Sequence, residues 1–143
     1  MPKGASITRD ATGYSVGDMF DRIAPTYDLL NHLLSLGRDF SWRRRTACAL
    51  PTSEGLKVAD LATGTGDLLM ALLRERPTVA EAVGLDVSEE MLKIALRKTS
   101  ECGFADRVRF VCDDAVHSSL PGDSFDAVTM GFGIRNTPDV TAT

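Results

Sequence analysis

Apolar positions in the first third of the chain follow the period of a helix. From Asp18 onward they recur at spacings of three and four residues, at Met19, Phe20, Ile23, Tyr27, Leu30, Leu33 and Leu34. Pro25 is expected to break or restart this helix, because its ring cannot sit in a helix interior without distortion. A second helical stretch follows Gly37. The pattern predicts a helical lid or cap over residues 18–50, preceded by a flexible lead over residues 1–17.

From residue 56 onward, short apolar runs alternate with helical segments. The apolar runs predict four strands, over residues 57–61, 81–87, 108–112 and 125–130. Helices are predicted over residues 68–76 and from Ser88, a good N-cap, to about Cys102. Strands that alternate with helices of this length imply βαβ units and a parallel sheet. The expected fold class is therefore α/β, a Rossmann-like sheet with helices on both faces over residues 56–143.

Composition and charge restrict the classes of function. The chain has 143 residues, of which 43% are apolar and 25% charged, and this fits one soluble domain. Its net charge of −4 lacks the positive excess of a general nucleic-acid binder. No apolar run approaches the ~20 residues of a membrane-spanning helix. The N-terminus has no apolar signal-peptide core, so a cytoplasmic location is expected.

Cysteine and histidine content argues against a disulfide framework and a metal centre. The three cysteines are an odd number without C-x-x-C spacing, so reduced thiols are expected. The two histidines, His32 and His117, lie far apart and form no H-E-x-x-H motif. The sequence therefore predicts an enzyme or binding domain that holds no metal.

A glycine-rich turn after the first strand is the main candidate for a ligand site. Asp60 lies near the strand end, and Gly64 and Gly66 allow a tight turn and a close approach of a ligand to the backbone. Asp86 falls twenty residues after Gly66, at the end of the second strand, where a carboxylate can accept hydrogen bonds from both ribose hydroxyls. A dinucleotide fingerprint needs a third glycine, where this chain has Leu69.

The charge of this turn favours a cationic ligand. A carboxylate at Asp67 would repel a pyrophosphate at the N-terminus of the helix, and Asp60 adds a second acid. The pattern suits S-adenosylmethionine, a nucleoside with a positive sulfonium and an amino group. An ordinary strand-to-helix turn and a different nucleotide are the alternatives. After the third strand, Asp114 and Ala115 are candidates for adenine contacts, with a solvated loop acid as the alternative for Asp114.

Three segments resemble the ubiquinone/menaquinone-biosynthesis C-methyltransferases. They are residues 19–28 (MFDRIAPTYD), residues 61–68 (LATGTGDL) and residues 132–136 (FGIRN), and the likeness extends from Val16 to Val140. The resemblance implies a class I methyltransferase fold with S-adenosylmethionine as cofactor. It also implies transfer of the methyl group to a ring carbon of a polyprenylated quinol.

The resemblance assigns individual residues as well. Thr65 and Asp86 match cofactor contacts of the family, and Asp114 with Ala115 matches its adenine-side pair. Gly131 stands where some members carry a serine that contacts the cofactor. These residues, together with the turn itself, form the expected cofactor site.

Candidate catalytic residues follow from the chemistry of a quinol ring. A ring carbon becomes a good nucleophile when its neighbouring phenol loses a proton. Arg135 would stabilise the developing phenolate, and Asn136 would orient the ring oxygen. No residue stands out as a general base, and Tyr27 near the lid is the remaining candidate.

The implied partners are a lipid-tailed quinol, the surface of the inner membrane and a second copy of the chain. An apolar stripe would either line a lid over the lipid tail or pack on the sheet, at Leu29, Leu30, Leu33, Leu34 and Leu36. Residues 43–45 (RRR) would form a solvated face or touch anionic headgroups. Nucleic acid is disfavoured, because residues 131–133 (GFG) lack the Pro-Pro-aromatic segment of base-amino methyltransferases.

Chain length bears on activity. Family members continue through further helices and strands, so this chain is expected to be an N-terminal fragment without the C-terminal strands. An unpaired sheet edge would favour self-association, and methyl transfer would be poor or absent. Two other functions stay open: a methyltransferase with another small-molecule acceptor, and a non-catalytic domain that binds the nucleoside.

Overall fold

A computed structural model describes residues 16–131, 133 and 141 of the chain. In chain order, these residues form α1 (Val16–Leu34), α2 (Arg38–Ala49), β1 (Leu56–Leu61), α3 (Asp67–Glu75), β2 (Val79–Asp86), α4 (Glu89–Glu101), a 3₁₀ turn (Ala105–Arg107), β3 (Val108–Cys112) and β4 (Ala127–Met130). The helices and strands predicted from the sequence all form, with ends that differ by at most two residues. We refer to α1 and α2 as the cap, and to residues 56–131 as the sheet domain.

The four strands form one parallel sheet in the order β3-β2-β1-β4. Asp60 of β1 pairs with Gly84 of β2 on one side and with Thr129 of β4 on the other. The connections from β1 to β2 and from β2 to β3 run toward one edge, whereas β4 lies on the opposite side of β1. The strand order therefore reverses beside β1, and ligands bind in the crevice at such a switch point of an open α/β sheet. The predicted class, an α/β Rossmann-like sheet with flanking helices preceded by N-terminal helices, is confirmed.

Apolar burial against the sheet fixes α3. Its apolar residues recur at spacings of three and four, and Leu69, Leu72 and Leu73 are almost completely buried. They pack with Leu56 and Val58 of β1 and with residues of β2 and α2 in one core cluster. This core holds α3 in place, and therefore also holds the glycine turn that precedes it.

Helix α1 continues through Pro25, so the expected break at this residue is wrong. The helix is unbroken from Val16 to Leu34. Asp21 and Asp28, one on each side of the proline, both hydrogen-bond to residues of the sheet domain. These contacts hold both halves of the helix, and the ring of Pro25 lies on an exposed face.

The apolar stripe of the cap does not pack on the sheet. Its five leucines are exposed: Leu29, Leu30, Leu33, Leu34 and Leu36. The alternative in which the stripe forms part of the core is therefore wrong for this arrangement of the chain. Among the described helices, none is long and apolar enough to cross a membrane.

Candidate functional site

The turn between β1 and α3 has the backbone geometry that its glycines suggest. Gly64 and Gly66 have φ angles of 57° and 82°, which residues with a Cβ rarely adopt. A Cβ on Gly66 would also lie 3.0 Å from the Cβ of Ala95 in α4. The close approach of α4 and the left-handed backbone together require glycine at position 66.

A cleft of about 320 Å³ opens beside this turn at the switch point of the sheet. Its walls are the C-terminal half of α1, the middle of α2, the glycine turn and the end of β4. Five of the predicted cofactor-binding and catalytic residues line this cleft: Tyr27, Asp60, Gly64, Thr65 and Gly131. The structure thus brings β1, its turn and the end of β4 together around one cleft.

Asp60 is a buried carboxylate at the base of the cleft. Its two oxygens accept hydrogen bonds from the hydroxyls of Thr63 and Thr129, each at 2.7 Å. Burial raises the pKa of Asp60 to about 6, and the two hydrogen bonds oppose this rise. A cationic group placed in the cleft would favour the ionised form of this carboxyl.

Charged residues tie α1 to the glycine turn. Asp28 accepts a hydrogen bond from the Thr65 hydroxyl, and its other oxygen lies 2.8 Å from the Lys98 ammonium. Lys98 also pairs with Asp67 at the start of α3. The charge of Asp67, which the sequence analysis sets against a pyrophosphate, is therefore largely compensated within the protein.

The cap contributes a second ion-paired cluster on the same side. Arg43 Nη1 lies 2.9 Å from a carboxylate oxygen of Asp39 and 3.2 Å from one of Asp67. Asp39 is buried, with His32 Nδ1 2.6 Å away and the Ser35 hydroxyl donating to it. Burial alone would raise the pKa of Asp39, but these hydrogen bonds and the charge of Arg43 lower it overall. The expectation that residues 43–45 form a solvated face is wrong for Arg43.

Asp86 lies at the end of β2, as the sequence predicts, and its carboxylate accepts hydrogen bonds from backbone N–H groups nearby. One oxygen accepts from the Gly64 N–H at 2.8 Å, and the other from the Ser88 N–H at 3.0 Å. Burial raises the pKa of Asp86 overall, although these N–H groups lower it. The carboxylate thus fixes the glycine turn to the start of α4, and it does not line the cleft described above.

The loop after β3 lies next to the end of β2. The Asp113 N–H donates to the Asp86 carbonyl at 3.0 Å, which places Asp114 and Ala115 beside that strand end. Asp114 accepts a hydrogen bond from the Val116 N–H at 2.9 Å. This loop is separate from the cleft, so the expected cofactor contacts divide into a cleft group and a β2–β3 group.

Two predicted catalytic residues, Arg135 and Asn136, lie outside the described residues, and their roles stay predictions.

Sequence reasoning missed the part that the cap plays. Besides Tyr27, the cap residues that line the cleft are Asp28, Asn31, Trp42, Arg43 and Thr46. A signal was present in α1, since Asp21 and Asp28 are seven residues apart and share one helix face. Two acids on one face of a helix that follows apolar spacing indicate polar contacts with a neighbouring element.

Comparison with known proteins gives a consistent family. The sequence matches the ubiE/COQ5 methyltransferase family over residues 8–143. A demethylmenaquinone methyltransferase of Thermus thermophilus is 49% identical over 121 residues, which cover 85% of this chain and 54% of that protein. The ubiquinone/menaquinone biosynthesis C-methyltransferase UbiE of Geobacter sulfurreducens is 42% identical over 127 residues, 89% of this chain and 50% of that protein. The chain spans about half the length of the curated relatives it matches.

A solved structure agrees with this match. It is a SAM-dependent methyltransferase from Geobacter sulfurreducens in complex with S-adenosyl-L-homocysteine, with a TM-score of 0.54 and 26% identity. The match covers 65% of this chain and 36% of that one. Fold and cleft together define a Rossmann-like domain with a cleft at the switch point of the sheet. The chain belongs to the ubiE/COQ5 methyltransferase family.

Proposed function

We propose that this chain binds S-adenosylmethionine and is part of an enzyme that methylates a ring carbon of a polyprenylated quinol. The observation that carries the proposal is the cleft beside the glycine turn, with Asp60 buried at its base. Membership of the ubiE/COQ5 methyltransferase family and the names of the relatives support the same reaction. These names refer to demethylmenaquinone and to ubiquinone/menaquinone biosynthesis, and for this chain we assign the class of lipid-tailed quinols.

The two groups of candidate residues would hold different parts of the cofactor. The amino-acid end fits the cleft, where Asp60 would face its ammonium and Gly64 and Thr65 would adjoin it, with Gly66 completing the same turn. Asp86 would bind the ribose hydroxyls. An ionised carboxylate offers about four lone-pair sites, and two backbone N–H groups leave the others for a ligand.

Asp114, Ala115 and Gly131 complete the proposed cofactor contacts. Asp114 would accept from the adenine amino group, and the backbone of Ala115 would donate to a ring nitrogen. Gly131 lines the cleft at the end of β4, where its lack of a side chain leaves room for the ligand. A Cβ at this position would lie 3.1 Å from the Leu68 side chain.

When bound, S-adenosylmethionine supplies a methyl group on a positively charged sulfur. The quinol ring carbon forms the new C–CH₃ bond, the sulfur keeps the electrons of the broken bond, and the ring carbon then loses its proton. Arg135 would stabilise the phenolate, Asn136 would orient the ring oxygen, and Tyr27, which lines the cleft, is the candidate base. Holding the carbon in line with the methyl group and the sulfur would supply much of the acceleration.

The exposed face of the cap suggests where the acceptor comes from. Leu33, Leu34 and Leu36 stand exposed near the turn between α1 and α2, and Arg44 lies on the next helix. A quinol with a polyprenyl tail resides in the membrane, so we place the working enzyme on the cytoplasmic side of the inner membrane as a peripheral protein. Self-association through a sheet edge is part of the same proposal.

Calorimetry with S-adenosylhomocysteine tests the cofactor assignment. We expect a single site whose ligand is not displaced by NAD at comparable concentration. Asp86→Ala should weaken binding by roughly 1–3 kcal/mol, the cost of losing a charged hydrogen-bond partner. Glu81→Ala, an exposed change on the same strand, is the matched control. Unchanged affinity in a folded Asp86→Ala protein would remove the ribose assignment, and displacement by NAD would contradict the choice of cofactor.

Mass spectrometry of the products tests the acceptor. The chain extended to the full length of its relatives is incubated with S-adenosylmethionine and a demethylated quinol. A product heavier by one methylene group, methylated on ring carbon, is expected. Methylation on oxygen, or no methylation of any quinol by a protein that binds the cofactor, would contradict the proposed substrate class.

A further inference from the structure

The described residues that line the cleft include one permanently charged cation and three carboxylates. Of the described residues that line it, Arg43 is the one that carries a permanent positive charge, whereas Asp28, Asp60 and Asp67 are acids. Asp28 and Asp67 pair with Lys98, so their charge is largely compensated within the protein. Asp60 accepts hydrogen bonds from two hydroxyls and forms no ion pair with a cation of the described residues, so its charge is uncompensated.

Arg43 is held rigidly at the cleft. Both of its ion pairs within the described residues are made by Nη1, to Asp39 and Asp67. The guanidinium also lies over the ring of Phe40, with its central carbon 5.9 Å from the ring centre. A guanidinium has five N–H donors in a fixed planar fork, so Nη2 and Nε can bind a further acceptor without loss of the existing pairs. The side chain is only 13% exposed, and no exposed flexible stem has to be ordered when a ligand binds.

We propose that Arg43 binds the carboxylate of the amino-acid portion of S-adenosylmethionine and so selects ligands that carry this group. The inference rests on the proposed cofactor and deepens it. The amino-acid portion is a zwitterion, and a site for it needs an anion for the ammonium and a cation for the carboxylate. Asp60 meets the first need, and Arg43, which lines the same cleft, meets the second. A planar fork also matches the two oxygens of a carboxylate better than an ammonium does.

Two ligands that differ in the amino-acid portion separate this role from a structural one. S-Adenosylhomocysteine carries the carboxylate and the ammonium, and 5′-methylthioadenosine shares the nucleoside and the sulfur but lacks both groups. Dissociation constants of both ligands are measured by calorimetry for the wild-type chain, Arg43→Met and Arg43→Lys. Arg44→Met is the matched control, because Arg44 is the next residue, is 73% exposed and pairs with Glu75 away from the cleft.

Arg43→Met should weaken S-adenosylhomocysteine binding by about 10- to 100-fold, while methylthioadenosine binding changes less than about threefold. Arg44→Met should leave both constants unchanged. Arg43→Lys keeps the positive charge but lacks the planar fork, so it should lose part of the preference for S-adenosylhomocysteine over methylthioadenosine. If Arg43→Met does not fold, the same comparison of the two ligands is made with Arg43→Lys. An equal loss for both ligands, or an unchanged ratio of the two constants, would overturn the role of Arg43. Failure of the wild-type chain to bind either ligand would instead refute the proposed function.

Discussion

The cap and the sheet domain hold their residues in place by different forces. In the sheet domain, apolar side chains of β1, α3 and β2 are buried almost completely in one cluster. In the cap, most large apolar side chains are exposed, and its contacts with the sheet domain include hydrogen bonds and ion pairs through Asp21, Asp28 and Arg43. Apolar burial thus holds the sheet domain and also anchors α2 through Ala47, whereas the position of α1 depends largely on charged contacts.

This contrast matters for the site because the cleft lies between the two regions. One wall comes from the glycine turn, which the core fixes through α3, and the other comes from α1 and α2. Salt does not screen the contribution of apolar burial to folding stability, whereas partly exposed ion pairs weaken as ionic strength rises. The two walls should therefore respond differently to mutation, pH and salt.

The largest effect is expected in the core of the sheet domain. Leu72→Ala removes a completely buried side chain from α3 and leaves a cavity. The free energy of unfolding should fall by about 2–5 kcal/mol, measured by urea denaturation. Leu96→Ala on the exposed face of α4 is the matched control and should cost far less. Equal losses for the two variants would contradict the assignment of the core.

The next effect concerns Asp60 and depends on pH. Because burial raises the pKa of Asp60 from 3.8 to about 6, the folded chain keeps this proton at pH values where the unfolded chain has lost it. The protonated carboxyl of Asp60 therefore contributes to the free energy of unfolding. This contribution is complete below about pH 3.8 and is lost as pH rises through about 6. At 1.36 kcal/mol per pKa unit, the loss is about 3 kcal/mol.

Asp60→Asn has no such titration and can keep hydrogen bonds with both threonines. The free energy of unfolding of this variant, relative to wild type, should rise by up to about 3 kcal/mol between pH 4 and pH 7. Urea denaturation at several pH values measures the difference. Asp123→Asn, at an exposed turn, is the control. A difference that stays constant over this range would show that Asp60 does not keep its proton in the folded chain.

The sheet domain was largely predictable from the sequence because its signals are local. Alternating apolar runs mark the strands, and Ser88 caps α4 by accepting a hydrogen bond from the Met91 N–H, as its residue type predicts. Gly64 and Gly66 adopt the left-handed backbone expected of the turn. In each case the residue and its partner lie within a few positions, or the pattern repeats at a fixed period.

The cap side of the site was not predictable in the same way. Asp28 and Lys98 are 70 residues apart, and no local pattern pairs them. Arg43 belongs to a run of three arginines, and only the tertiary structure separates it from Arg44 by placing it against Asp67. Pro25 was misjudged because contacts on both sides of it override a local preference. Which acid meets which base is decided by the packing of helices on the sheet.

A smaller effect should appear when the link between cap and turn is cut. Asp28→Asn removes the charge that pairs with Lys98, while the side chain keeps its size. The pair is partly exposed, so the free energy of unfolding should fall by only about 1 kcal/mol. Hydrogen exchange of residues 19–34 should rise more than exchange of β1, and the difference from wild type should shrink in high salt. Glu54→Gln, an exposed change before β1, is the control. Faster exchange throughout β1 would mean that cap and sheet domain open as one unit.

The smallest effect is expected at the end of the cap. Leu34→Ser replaces a side chain that is 80% exposed, so the free energy of unfolding should change by less than about 0.5 kcal/mol. Apolar exposure of this kind contributes little to the stability of the isolated chain, even though the residue is a leucine. Urea denaturation at two protein concentrations measures the change and also tests for a second copy on this face. A loss above about 1 kcal/mol that grows with protein concentration would show that self-association buries Leu34. The same loss without concentration dependence would place Leu34 in the core and would remove the contrast between the two regions.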